Sequence, residues 1–179
     1  MHIVVLGGGP GGYSAAFEAA RLGASVTLIE HQRLGGTCLN WGCIPTKALL
    51  EHAHALKIAQ ASKEWGLILG DQPARIDMNQ VQARKDKIVT IITRGVEFLF
   101  KKNKVTHLQG YGRLQGVGKV EVEAADGKKT VLEATHVIVA TGSRPRDLPV
   151  LKIDEERVWS STGALMQKKA PGSLLIVGA

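Results

Sequence analysis

Cysteine and aromatic residues are scarce in this chain, which has two cysteines, three tryptophans, two tyrosines and three phenylalanines in 179 residues. Two cysteines without a second convergent pair are too few for a structural zinc site, so no metal is expected. Long hydrophobic runs are also missing. The apolar start, residues 2–6, is too short for a signal peptide and far too short to span a bilayer. These absences predict a cytoplasmic protein with no membrane partner.

The chain has 44% hydrophobic and 22% charged residues, which is typical of a soluble globular domain with a real core. Its formal net charge is +7, which raises the question of nucleic-acid binding. The basic residues are scattered in short groups at 84–87, 101–104 and 128–129, and no aromatic residues alternate with them. A solvated basic surface is therefore the better interpretation, and no nucleic-acid partner is expected.

Both cysteines, Cys38 and Cys43, lie in one glycine-flanked segment and are separated by four residues. On a straight helix their Cα atoms would be about 8.7 Å apart. A disulfide needs roughly 4.4 to 6.8 Å. A bridge therefore requires a distorted turn, and Gly42 supplies backbone freedom beside Cys43. Two free core cysteines are the alternative.

A glycine-rich segment at residues 7–12 fits the dinucleotide pattern G-x-G-x-x-G on Gly7, Gly9 and Gly12. It follows an apolar strand and opens a predicted helix at Pro10, where free N–H groups and the helix dipole favour a pyrophosphate. The next predicted strand ends in Glu30, whose carboxylate is expected to accept hydrogen bonds from a ribose hydroxyl. The pattern does not by itself distinguish FAD from NAD.

The middle of the chain predicts two helices, at 44–62 and 79–100, from the spacing of apolar residues. His52 and His54 face different sides of the first helix, so they are interpreted as ordinary polar residues. An antiparallel meander is expected from four short strands, with a hairpin turn at Asp126 and Gly127. Its strands are predicted at 105–108, 111–114, 119–123 and 130–132. Further apolar strands are expected at 135–140, where His136 is predicted to be packed, and at 173–177.

The segment from Gly35 to Lys47 resembles the redox-active site of the flavin-dependent pyridine nucleotide-disulfide oxidoreductases. Within that family it is most similar to the dihydrolipoyl dehydrogenase branch. The resemblance implies a redox-active disulfide in which Cys38 meets the substrate and Cys43 faces the flavin. It also implies a cation, Lys47, near the reactive flavin nitrogen. The other residues that the resemblance places along FAD are Gly7, Gly9, Pro10, Gly12, Glu30, Gly36, Thr37, Gly112, Ala140, Thr141, Gly142 and Ser143.

The implied fold is α/β, an FAD-binding Rossmann-like parallel sheet with helices and a small antiparallel meander. Residues 1–145 are expected to form an incomplete FAD-binding domain, 146–172 a connector, and 173–179 the first strand of a truncated NAD-binding domain. On this interpretation the NAD site and the homodimer belong to a longer parent enzyme. Weak or absent FAD retention, and no activity in isolation, are expected of the fragment.

The implied activity of the parent is oxidation of dihydrolipoamide to lipoamide, with electrons passing through the disulfide and FAD to NAD. The implied partner is the lipoyl domain of a 2-oxoacid dehydrogenase or glycine cleavage complex. A mercuric reductase-like or glutathione reductase-like relative is the alternative within the enzyme class. From a different class, a non-catalytic flavin-binding module is the other alternative, although such a module would need no dithiol.

Overall fold

The computed structural model describes residues 1–70 and 72–178. Five helices and seven strands are found in this part of the chain. The strands are β1 (His2–Leu6), β2 (Ser25–Glu30), β3 (Thr106–Gln109), β4 (Tyr111–Leu114), β5 (Lys119–Glu123), β6 (Lys129–Glu133) and β7 (His136–Val139). The helices are α1 (Pro10–Arg21), α2 (Gly36–Trp41), α3 (Cys43–Gln60), α4 (Met78–Lys102) and α5 (Ser161–Leu165).

Two sheets form the framework, and they confirm the predicted fold class. Four parallel strands lie in the order β3-β2-β1-β7, while β4, β5 and β6 form a separate antiparallel sheet. The predicted hairpin turn joins β5 to β6, with Gly127 at φ +80° and the Asp126 carboxylate accepting from the Lys128 amide. The β1 and β2 strands are buried on both faces, as expected of parallel strands covered on each side.

The predicted meander was wrong in one strand. The segment at 105–108 does not join the antiparallel sheet, because β3 pairs with β2 in the parallel sheet. Three helices separate β2 from β3, which satisfies the need of a parallel pair for a long crossover connection. A short strand carries no sequence signal for which of two sheets will accept its hydrogen bonds.

The core lies on both faces of the parallel sheet. On one face, Val5 and Leu28 pack with α1 and α4, where Phe17 and Phe100 meet edge to face at 5.1 Å. On the other face, Val4 packs beneath β5 of the antiparallel sheet. The alternation of side chains along each strand sends neighbouring residues to opposite layers.

The β7 strand lies at the edge of the sheet, next to β1 alone. His136 is exposed, so the prediction that it is packed was wrong, and Val139 is 62% exposed.

Residues 173–178 form no strand and are exposed, which corrects the strand predicted at 173–177; Ala179 lies outside the described residues. An apolar run becomes a strand only where a neighbouring strand takes its backbone hydrogen bonds.

The connector at 146–172 contains a short helix that was not predicted. The Asp154 carboxylate accepts hydrogen bonds from the amides of Val158, Glu156 and Arg157, each at 2.9 Å. These bonds hold the pKa of Asp154 below its ordinary value. Ser160 then caps α5 by accepting from the Thr162 amide.

Among the described helices, none combines the length and the apolar composition that are needed to cross a membrane.

Candidate functional site

The glycine-rich turn between β1 and α1 is closed by its own backbone. Gly7 has φ +104°, and a Cβ on it would lie closer than 3.0 Å to the carbonyl oxygen of Ala140 at the end of β7. A Cβ on Gly12 would likewise lie closer than 3.0 Å to the carbonyl oxygen of Gly7. Because backbone atoms cannot move aside, these two glycines are required by the fold itself.

Gly9 and Pro10 have a different environment from Gly7 and Gly12. Gly9 is the N-cap of α1 without a side-chain cap, and Pro10 occupies the first turn. The nearest atom to a Cβ on Gly9 would be the Cα of Gly36 at 3.7 Å, an ordinary contact. The start of α1 therefore has room for an extra atom beside Gly9, and the free N–H groups of a helix N-terminus suit a phosphate oxygen.

Glu30 is buried at the carboxyl end of β2 and holds the glycine-rich turn in place. Its Oε2 accepts from the Gly8 amide at 2.8 Å, and its Oε1 accepts from the Gln32 amide at 2.8 Å. His31 Nδ1 lies 3.1 Å from the same Oε1, and its ring stacks on Tyr111 at 4.3 Å. A carboxylate has about four acceptor positions, so Glu30 can still accept from a hydroxyl.

The helix that carries Cys38 docks directly on the glycine-rich turn. The Gly35 amide donates to the Gly8 carbonyl at 2.8 Å, and a Cβ on Gly36 would lie 2.6 Å from the Cα of Gly9. Asn40, which the sequence did not single out, stabilises this turn by donating to the carbonyls of Leu34 and Gly36. A buried amide beside glycines is the only sequence signal that could have identified it.

The predicted distortion between the cysteines is confirmed. The α2 helix ends at Trp41, and α3 begins at Cys43 after Gly42, which has φ −143° and ψ −113°. Both cysteines are free thiols in this structure, with Cys38 partly buried and Cys43 exposed. The pKa of Cys38 is raised above its ordinary value, first by its hydrogen bond with Cys43 and then by burial.

Lys47 lies four residues after Cys43, on the exposed side of α3. A backbone hydrogen bond from Cys43 lowers the pKa of Cys38, and the positive charge of Lys47 lowers it to a smaller extent, because a nearby cation stabilises the thiolate. The structure thus brings Lys47 within electrostatic range of Cys38, and its predicted position near the reactive flavin nitrogen stays a prediction. Neither the two thiols nor the Lys47 side chain is fully buried, so solvent reaches all three groups.

Lys47→Met is expected to raise the pKa of the Cys38 thiol, because the variant removes the cation that favours the thiolate. The pH dependence of iodoacetamide alkylation at Cys38, followed by peptide mapping of the reduced protein, should shift to higher pH. Lys57→Met, an exposed lysine on the same helix, is the matched control and should leave the profile unchanged. An unshifted profile in Lys47→Met would refute this interaction.

The remaining predicted site residues lie at the ends of β7 and β4. Ala140 joins the site, since its amide donates to the Leu6 carbonyl at 2.8 Å and its carbonyl abuts Gly7. Thr141, Gly142 and Ser143 follow it as exposed residues without regular secondary structure. The sheet therefore fixes where this segment starts, and the Cα of Thr141 still lies close to Gly7 of the turn.

Gly112 on β4 has a packing role. A Cβ on it would lie closer than 3.0 Å to Leu6 Cδ2 and about 3.4 Å from Ile29 Cδ1. The antiparallel sheet lies close to the parallel sheet here, and a side chain at this position would require the end of Leu6 to move. Packing therefore gives one reason for the glycine, and its predicted contact with FAD stays a prediction.

Comparison with known proteins decides the family. The model of the pyridine nucleotide-disulphide oxidoreductases matches residues 1–179, the whole chain. The chain belongs to this family. A dihydrolipoyl dehydrogenase from Pseudomonas putida is 47% identical over 178 residues, covering 99% of this chain. The mitochondrial dihydrolipoyl dehydrogenase of Pisum sativum is 46% identical, as is a leghemoglobin reductase of Vigna unguiculata.

The structural comparison agrees with this placement in the pyridine nucleotide-disulphide oxidoreductases. The crystal structure of LpdA from Mycobacterium tuberculosis matches with a TM-score of 0.85 and 27% identity, covering 94% of this chain. The chain spans 38% of that structure, and 38% and 35% of the Pseudomonas putida and Pisum sativum relatives. The resemblance predicted from residues 35–47 is thus confirmed at the level of the family.

The residues present fit the flavin dinucleotide that this oxidoreductase family implies. The opening beside Gly9 admits an atom, whereas backbone atoms fill the corresponding space at Gly7 and Gly12. Glu30 keeps acceptor capacity for a ribose hydroxyl, and the free amides of α1 suit a pyrophosphate. Among the described residues, no group of three or more His, Cys, Asp or Glu side chains could hold a metal ion.

Proposed function

We propose that this chain is the FAD-binding part of a dihydrolipoyl dehydrogenase, which oxidises dihydrolipoamide to lipoamide with NAD through Cys38 and Cys43. The observation that carries the proposal is the docking of the dithiol helix on the glycine-rich turn. Gly36 touches Gly9 there, so the dithiol lies next to the helix end that suits a dinucleotide pyrophosphate. An enzyme that exchanges electrons between a dithiol and a dinucleotide needs these two groups side by side.

The cofactor would be held by residues from five segments. The backbone at Gly9 and Pro10 would face the pyrophosphate, and Glu30 would accept from the ribose. The resemblance adds Gly36, Thr37, Cys38, Lys47, Gly112, Ala140, Thr141, Gly142 and Ser143. When bound, FAD would accept two electrons from the dithiol and pass them to NAD. NAD is proposed for the complete enzyme, as are a homodimer and the lipoyl domain of a 2-oxoacid dehydrogenase or glycine cleavage complex.

The two cysteines would act by thiol–disulfide exchange. In their oxidised, bridged form, a substrate thiolate attacks the Cys38 sulfur and Cys43 leaves as a thiolate. The second substrate thiol then attacks the substrate sulfur of the mixed disulfide, and Cys38 is released. The substrate dithiol is oxidised to a disulfide, and the protein disulfide is reduced to two thiols.

The surrounding residues would tune this exchange. Lys47 favours the thiolate form of Cys38. The hydrogen bond between Cys38 and Cys43, and the burial of Cys38, favour the thiol form. Exposure alone would make Cys43 the more accessible nucleophile. The assignment of Cys38 to the substrate therefore rests on the family resemblance. The cytoplasmic location also stays a prediction, since the Pisum sativum and Dictyostelium discoideum relatives are named as mitochondrial.

The complete gene product should reduce NAD when supplied with dihydrolipoamide, as followed by the absorbance of NADH. The same protein should not reduce mercuric ion with NADPH, and it should not reduce glutathione disulfide. Activity with mercuric ion or glutathione disulfide and none with dihydrolipoamide would assign the chain to a different branch of the family. Flavin binding without any of these activities would support the non-catalytic alternative.

A further inference from the structure

Among the residues that the structure describes, Lys85 is the only buried lysine, and the other lysines are exposed. Its side chain is 3% exposed, and it lies on α4, the helix that packs against α2 and α3. Burial of an ammonium group is costly unless it is paired and hydrogen-bonded. Lys85 plays no part in the proposed chemistry, so its position needs a separate explanation.

The partners of Lys85 lie at the end of α5. Its Nζ donates to the Leu165 carbonyl at 3.4 Å, lies 3.8 Å from Met166 Sδ, and pairs with the Asp86 carboxylate at 3.1 Å. The last carbonyls of a helix have no partner within the helix and carry partial negative charge. A cation at this end therefore stabilises α5.

Gln82, one turn earlier on α4, reinforces the same attachment. Its Nε2 donates to the Leu165 carbonyl at 3.2 Å and to the Gln167 carbonyl at 2.8 Å. A helix as short as α5 is not stable by itself. Its stability must come from tertiary contacts, and two side chains of α4 supply the polar ones at its C-terminal end.

The attachment has a consequence for the dithiol, because α5 contacts both cysteine helices. It packs against α2, which carries Cys38, and against α3, which begins at Cys43. Cys38 is partly buried whereas Cys43 is exposed. Detachment of α5 would uncover α2, so access to Cys38 should increase while access to Cys43 changes little.

We propose that Lys85, supported by Gln82, is a positioning residue that fastens α5 against the dithiol helices and so limits access to Cys38. This inference rests on the proposed function only where it assumes that the two thiols react with a substrate. The attachment of α5 to α4 does not depend on that function. Through this attachment, the segment that follows the parallel sheet influences the reactivity of the dithiol.

Lys85→Met tests this inference, since methionine retains much of the length and fills the site without a donor. In the variant, hydrogen exchange at the Ala164 and Met166 amides should be about tenfold faster, which corresponds to about 1.4 kcal/mol. Both amides donate within this segment, to Ser160 and Gly163. Iodoacetamide alkylation of Cys38 in a Cys43→Ser background should be faster, while alkylation of Cys43 in a Cys38→Ser background should be unchanged.

Lys87→Met, an exposed lysine on the same helix, is the matched control and should leave all these rates as in the parent chain. If Lys85→Met does not fold, as judged by thermal unfolding, Gln82→Leu removes the two hydrogen bonds that Gln82 donates to the Leu165 and Gln167 carbonyls and leaves Lys85 with its partners in place. It should again accelerate exchange in α5 and alkylation of Cys38. Rates equal to those of Lys87→Met would overturn the inference. These thiol measurements need no flavin, so the result is independent of the dihydrolipoamide assay.

Discussion

Gly12→Ala is expected to lower the free energy of unfolding by about 3 kcal/mol or more. The added methyl group would lie closer than 3.0 Å to the Gly7 carbonyl oxygen and about 3.5 Å from Val5 Cγ1. A carbonyl fixed between β1 and α1 cannot rotate away, so either the turn or the start of the helix must shift. Urea unfolding followed by circular dichroism would measure the change.

Gly11→Ala is the matched control, one residue earlier in the same turn. A Cβ at Gly11 would have its nearest neighbour at 4.0 Å, and the position is helical. Alanine is a better helix former than glycine, so this variant should be as stable as the parent chain or more stable. Equal stability of the two variants would contradict the packing role of Gly12.

At Gly9, in the same turn, the effect of an added side chain on folding can be distinguished from its effect on cofactor binding. The nearest neighbour of a Cβ there would be 3.7 Å away, so Gly9→Ala should fold with unchanged stability. If a pyrophosphate lies beside this residue, the complete protein with Gly9→Ala should bind FAD more weakly. Titration with FAD, monitored by flavin fluorescence, would detect the loss. Unchanged FAD affinity would place the dinucleotide elsewhere.

Cys43→Ser is expected to reduce dihydrolipoamide oxidation by the complete gene product about a thousandfold or more. A single thiol cannot form the internal disulfide through which the electrons pass, so no other residue can replace it. The variant should also lose the long-wavelength absorbance that a thiolate gives beside an oxidised flavin. Stopped-flow absorbance and NADH formation would record both effects.

Cys38→Ser should be equally inactive but should keep the long-wavelength band, because Cys43 would still provide the thiolate. The two variants together therefore test the roles that the resemblance assigns. Loss of the band in Cys38→Ser with retention in Cys43→Ser would exchange those roles. Thr46→Ser, an exposed position three residues later in α3, should retain the activity and the band.

The sequence predicted the features that depend on local backbone chemistry. Gly7, Gly9 and Gly12 lie in the expected turn, Glu30 ends β2 as predicted, and the helix breaks at Gly42, where a bridge between the cysteines would need a distortion. The bounds of α3 and α4 differ from the prediction by one or two residues. Such features are determined by neighbours in sequence, so one chain contains enough information to find them.

Features that depend on distant partners were missed. The pairing of β3 with β2, the attachment of α5 to Lys85 and the exposure of His136 all depend on segments far away in sequence. Likewise, the apolar run at 173–177 has the composition of a strand, but no strand forms there. Composition and periodicity indicate which secondary structures a segment can form, and the segments that pack against it determine which one it adopts.

The contact between Gly9 and Gly36 fixes the position of α2 and also constrains the length of the chain between the glycine-rich turn and α2. The chain leaves that point through α1, returns along β2 and comes back at the first residue of α2. Inserting or deleting one residue between Glu30 and Gly36 would move the dithiol helix along or around the turn on which it rests. Among pyridine nucleotide-disulphide oxidoreductases with this architecture, the spacing between the last glycine of the turn and the first cysteine should therefore vary much less than the residues that fill it.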